Sequence, residues 1–152
     1  MTARTIAGLG DIAAREVSLM EAIAGICGDW IAEDHTSTVR PFWADVAQSH
    51  AWYGQLWSQR FPVVPGRDLN LERSVVDPAT SDLLAQIIDP LQAAADNPTR
   101  LRVMTTAVIP ATLRRIEAIN ADLRRELDPP TAVIVDRIQM DLNRLLYSAS
   151  QI

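Results

Sequence analysis

Apolar residues recur at steps of three and four along most of this chain. An α-helix turns about 100° per residue, so that spacing gathers them into one stripe. The first such stretch covers about 9–32, with Ile12, Leu19, Ile23, Ile26 and Trp30 in line. The second covers about 38–61, striped by Phe42, Val46, Tyr53, Leu56 and Trp57. Ser37 or Thr38 can cap it, Pro41 falls in the first turn where a missing N–H costs nothing, and Pro62 stops it. A third helix is predicted over about 79–95, bent at Pro90. Asp96-Asn97-Pro98 sets a capping side chain before a proline and opens a fourth helix to about 127, with Ile109, Leu113, Ile116, Leu123 and Leu127 in line and a kink at Pro110. Asp128-Pro129-Pro130-Thr131 repeats that start signal, and a fifth helix to about 149 carries Ile134, Ile138, Leu142 and Leu145. No strand alternation, internal repeat or low-complexity tract interrupts the series.

The order of these elements predicts the fold. Short connections make the first and second long helices antiparallel neighbours, and likewise the fourth and fifth. Between the pairs lies the segment 62–97, which opens on the loop-forming Val63-Val64-Pro65-Gly66-Arg67-Asp68 and is long enough to travel the length of a bundle. A four-helix bundle with one long central crossover is the ferritin-like arrangement. The expectation is a single all-α domain over 1–152, the crossover carrying a short extra helix, with an irregular five-helix bundle as the other solution.

Polar residues on the apolar stripes are the candidates for chemistry. Glu16 lies inside the first stripe, while Glu21 points the opposite way. His50 sits at the edge of the second stripe and forms an i, i+3 pair with Tyr53. Asn120 lies among the apolar residues of the fourth helix, and Asp141 flanks the stripe of the fifth. Di-iron bundles take a Glu from each of two helices and a Glu-x-x-His from each of the other two. That pattern is missing. The chain has only two histidines, and His35 falls in a connection. Glu16, His50 and Asp141 could at most hold a single metal. The simpler expectation is no cofactor, with iron as the alternative. Glu16 is then paired with His50, Asp141 with Arg144 or Arg137, and Asn120 with backbone.

Seven of the eight aromatic residues lie between 30 and 61: Trp30, Phe42, Trp43, Trp52, Tyr53, Trp57 and Phe61. An aromatic stripe at helical spacing reads first as core. Trp43 and Trp52 fall on opposite flanks of the second stripe, however, so Trp43, Trp52 and Trp57 are also expected to line a surface for an apolar ligand or for a homodimer. A net charge of −5 repels phosphate backbones and argues against nucleic-acid binding. The fourteen basic residues are all Arg, scattered or paired as Arg114-Arg115 and Arg124-Arg125, and read as solvated helix faces. With one cysteine no intrachain disulfide forms, and Cys27 reads as a buried thiol in a cytoplasmic protein. The N-terminus lacks the apolar core of a signal peptide, and no apolar run approaches the ~20 residues that span a bilayer. Glycine-rich phosphate loops, paired-cysteine metal spacing and nucleophile elbows are likewise missing.

The stretch His50-Ala51-Trp52-Tyr53-Gly54-Gln55-Leu56-Trp57 with Arg60-Phe61-Pro62 resembles a signature of uncharacterised actinobacterial ferritin-like proteins, in which His-Ala-Trp-His-Ala-Glu-Leu-Trp is followed by Arg-Leu-Pro. Asp128-Pro129-Pro130-Thr131 resembles their Asp-x-Pro-Thr start of the last helix, and Val108-Ile109-Pro110 their Leu-Pro in the helix before it. Tyr53 replaces the second His of that signature, Gln55 replaces its Glu, and Asp141-Leu142-Asn143-Arg144 replaces a more acidic stretch. The resemblance implies the ferritin-like bundle with a degenerate ligand set. The function expected from these readings is a non-catalytic bundle that binds a small apolar molecule or a protein partner through the aromatic-rich second helix. The alternative is a metal-dependent oxidoreductase or hydroxylase with a remodelled site.

Overall fold

The apolar stripes are realised as helices in the structure, a computed structural model that describes residues 6–33, 37–62 and 78–152. His35 and the loop 63–68 lie outside the described residues. In chain order the elements are α1 (Ile6–Glu33), α2 (Arg40–Ser58), α3 (Pro78–Gln92), α4 (Asn97–Val103), a π-helical turn (Met104–Val108), α5 (Ile109–Asp122) and α6 (Pro129–Ala149). No strand occurs among the described residues. α4, the π turn and α5 follow one another without a break and form one helical rod over 97–122.

The caps follow from side-chain chemistry. Asp96 accepts from the Thr99 amide at the start of α4, and Asp128 accepts from the Thr131 amide at the start of α6, satisfying donors that a helix leaves open. Neither Ser37 nor Thr38 caps α2. Its N-cap is Val39, whose own amide donates to Ser37 Oγ, and Pro41 sits in the first turn as expected. The kink predicted at Pro110 takes the form of the π turn. Proline has no N–H to give to the Thr106 carbonyl, and its ring crowds that carbonyl. Widening the register so that the Ile109 amide reaches Met104 O relieves the conflict. The Thr105 and Thr106 hydroxyls add to the loosening by bonding the Leu101 and Arg102 carbonyls.

α5 also ends earlier than its stripe suggests. Leu123 is extended and buried, whereas Leu127 is 74% exposed. The inner face of α5 carries Ile109, Thr112, Ile116 and Ile119, leaving Leu113 and Asn120 half-buried. Periodicity alone could not separate these faces, because the steps of four and three from Ile109 mark two overlapping stripes.

α1 and α2 form the most extensive helix pair. α2 also packs on α6, and α6 on α5, while α3 packs on α1, α4 and the π turn. The core contains Leu19, Ile23, Val46, Tyr53, Trp57, Ile116, Ile138 and Leu142, all inaccessible to solvent. α1 and α5 approach each other less closely than the other neighbours. One link across that gap is a side chain, Arg115.

Candidate functional site

Glu16 on α1 and His50 on α2 are buried with no exposure at all. They do not form the expected pair. The Glu16 carboxylate instead receives Arg115 from α5, through Nε at 3.4 Å and Nη2 at 3.4 Å, and Arg15 Nε at 3.3 Å. Arg115 Nη2 also donates to the buried Thr112 hydroxyl at 3.3 Å, and its side chain is only 13% exposed. A buried carboxylate demands a cation, and here a tethered guanidinium meets that demand. Arg115 was missed because Arg114-Arg115 reads as a solvated pair. The available signal was its spacing of three from Thr112 and four from Ile119, which puts it on the inner face.

His50 Nδ1 lies 2.8 Å from the Val46 carbonyl of its own helix, which sets the neutral tautomer with the proton on Nδ1 and the lone pair on Nε2. Burial pushes this imidazole down to about 4, and the Arg115 charge adds to that effect against the Val46 bond and Asp141. The sign follows directly. The unfolded chain takes a proton near 6.5, whereas the folded chain does so only near 4. Stability is therefore full above 6.5 and falls as the pH drops toward 4, by roughly 3 kcal/mol. Urea unfolding at pH 7 and pH 4 is expected to show that drop in the wild type and to show it much reduced in His50→Gln. Equal pH dependence in the two proteins would contradict a buried neutral His50.

The remaining candidates form a separate network between α2 and α6. Tyr53 OH donates to Asp141 Oδ2 at 2.6 Å, and Arg144 Nε donates to Asp141 Oδ1 at 2.5 Å. Arg144 continues to Asp45 at 2.6 and 3.0 Å. The pairing of Asp141 with Arg144 follows the sequence expectation, while Arg137 instead lies over the Trp52 ring. The Tyr53 hydroxyl is pushed up by burial and by its bond to Asp141, and the Asp141 carboxyl is held low by Arg144 and Tyr53 against the opposing effect of burial. Asn120 belongs to neither network. It is half-buried, and Oδ1 accepts from Arg125 rather than from backbone.

This donor set does not fit a metal. The Glu16 oxygens face two guanidinium groups, the Asp141 oxygens are taken by Tyr53 and Arg144, and His50 offers one nitrogen. No group of three or more His, Cys, Asp or Glu side chains among the described residues is placed to hold an ion. A cation would have to displace Arg115. Near neutral pH burial holds His50 in its neutral form. Burial likewise pushes the Cys27 thiol up to about 12, far from a thiolate nucleophile.

Of the three tryptophans expected to line a surface on α2, two are covered within the chain. Trp43 and Trp57 have no exposure, and only Trp52 is half-buried. Trp43 stacks edge-on to Trp30 and Phe42 and donates from Nε1 to Asn97 at 3.1 Å, so it packs the end of the bundle inside a single chain. Among the described residues the large exposed apolar side chains are elsewhere, at Leu127, Val133, Met140, Tyr147 and Ile152. Arg60 and the start of the last helix, far apart in sequence, meet here. Arg60 donates to Asp128 Oδ1 at 2.8 Å and to Thr131 Oγ1 at 2.9 Å, so it braces the cap of α6.

A feature with room for a ligand lies on the other side of Arg115. A cleft of about 510 Å³ runs between α3 and the rod, with Leu83, Ile87 and Pro90 on one wall and Ala107, Val108 and Ala111 on the other. Arg114 and Arg115 stand toward one end of it, roughly 12 Å along the rod from Thr106. Thr106, Ala107 and Val108 of the π turn form part of this wall. No helix among the described residues is long and apolar enough to cross a membrane. Comparison with protein-family models, with curated proteins and with solved structures finds no match to this chain.

Proposed function

We propose that this chain is a non-catalytic binding protein built on a ferritin-like bundle, in which Arg115 occupies the place a metal would take and the ligand is a small, largely apolar molecule. The ferritin-like reading is supported by two long helices, a long connection carrying α3, and two further helical rods. The observation that carries the binding reading is the cleft between α3 and the rod. Its volume of about 510 Å³ falls within the roughly 300–1,000 Å³ of small-molecule sites, and its walls are mostly apolar, with Arg114 and Arg115 at one end and Thr106 and Gln86 as the other polar groups. It takes over the role that the sequence assigned to the tryptophans of α2.

Ala111 faces the cleft from α5, and a larger side chain there fills the space without entering the core. Nile red, a neutral apolar fluorophore, is expected to bind at one site per chain with a blue-shifted emission. Ala111→Phe is expected to abolish that binding while leaving the circular dichroism unchanged. Undiminished binding to a folded Ala111→Phe would refute the cleft as the site.

A further inference from the structure

The cleft holds a charge feature that the apolar reading leaves unused. The chain as a whole carries a net charge of −5, yet among the described residues no acidic side chain lines this cleft and two arginines do. Arg114 is exposed and has no hydrogen-bond or ion-pair partner among the described residues. Arg115 is only partly engaged. Its two contacts with Glu16 are long at 3.4 Å, against about 2.7–2.9 Å for charge-assisted bonds, and its Nη1 has no partner among the described residues. Two guanidinium groups beside an apolar trough read as a head-group site joined to a tail site.

We infer that the cleft takes a small amphipathic carboxylate, with its tail along Leu83, Ile87, Pro90 and Ala111 and its carboxylate on Arg114 and Arg115. This rests on the cleft being the small-molecule site. The planar fork of arginine matches a carboxylate in two parallel N–H···O bonds, and a site partly shielded from water strengthens them. The apolar walls supply affinity in proportion to the tail area they remove from water, so neither the head nor the tail suffices alone.

Isothermal titration of the full chain at pH 7.5 with decanoate, decanol, acetate and decyl phosphate separates these contributions. Decanoate is expected to bind about tenfold or more tightly than decanol, one charge-assisted contact being worth at least that ratio. Acetate is expected to show no binding. Arg114→Gln, which removes no internal contact, is expected to bring decanoate down toward decanol and to leave decanol unchanged. Ala111→Phe is expected to abolish both. Equal binding of decanol and decanoate, or decanoate binding untouched by Arg114→Gln, overturns the inference while the small-molecule site stands. Tighter binding of decyl phosphate than of decanoate overturns the carboxylate as the head group. If neither ten-carbon ligand binds, or if both bind the folded Ala111→Phe protein unchanged, the cleft reading itself fails.

Discussion

Replacing Arg115 with methionine is expected to destabilise the fold by about 3–5 kcal/mol, the cost of stranding a buried carboxylate. Glu16 has no exposure and takes its cross-bundle contacts from Arg115. Arg15 remains beside it at 3.3 Å but is an immediate neighbour on the same helix and cannot tie α1 to α5. The loss should therefore appear both as reduced stability in urea and as looser packing of α5. The double variant Glu16→Leu/Arg115→Met is expected to recover most of the loss, because an apolar pair of similar volume removes the desolvation cost of both charges. A double-mutant cycle in urea measures the coupling. A loss under about 1 kcal/mol in Arg115→Met would mean that the pair behaves as a solvent-exposed one, and the guanidinium could not then be the cation that the core requires.

Trp43→Ala is expected to cost a further ~3–5 kcal/mol on its own, the usual range for deleting a buried aromatic side chain. Trp43 is fully buried, its ring centroid lies 4.9 Å from that of Trp30 and 5.0 Å from that of Phe42, and its Nε1 donates to Asn97. Deletion leaves a cavity at the junction of α1, α2 and α4 and takes a donor from Asn97. For a chain of this length the melting temperature should fall by roughly 10 °C or more. Trp43→Phe keeps most of the volume and is expected to lose much less. This variant also distinguishes core from interface. Unchanged stability, together with a shift of the solution mass toward monomer, would restore the surface that the sequence suggested and contradict the burial. Both Arg115 and Trp43 thus hold energies comparable with a good part of the total stability of a typical domain, about 5–15 kcal/mol.

The chain order and the two aspartate caps were legible in the sequence because their causes are local. Asp96 and Asp128 satisfy amides three residues on, Pro41 fits the first turn of α2, and the stripes of α1, α2 and α6 are set by a period that the backbone imposes. The all-helical class follows from the same periodicity, and so does the burial of Glu16 on its stripe. The disturbance at Pro110 was also readable, since a missing N–H must leave a carbonyl without its partner.

What only the tertiary structure decided is which charges meet. Glu16 and Arg115 are 99 positions apart, as are Asp45 and Arg144, while Tyr53 and Asp141 are 88 apart. Each pairing depends on how far one helix is rotated against another, and a rotation of one residue exchanges an inward side chain for its neighbour. That is why Asn120 was assigned to the core in place of Ile119, and Arg115 to the solvent. Whether tryptophans form a belt or a plug is decided the same way, by the neighbouring helices that cover them. The cleft is a property of α3 and of the rod, whose π turn supplies part of one wall. No single segment encodes it, because the space exists only where α3 and the rod fail to close upon each other.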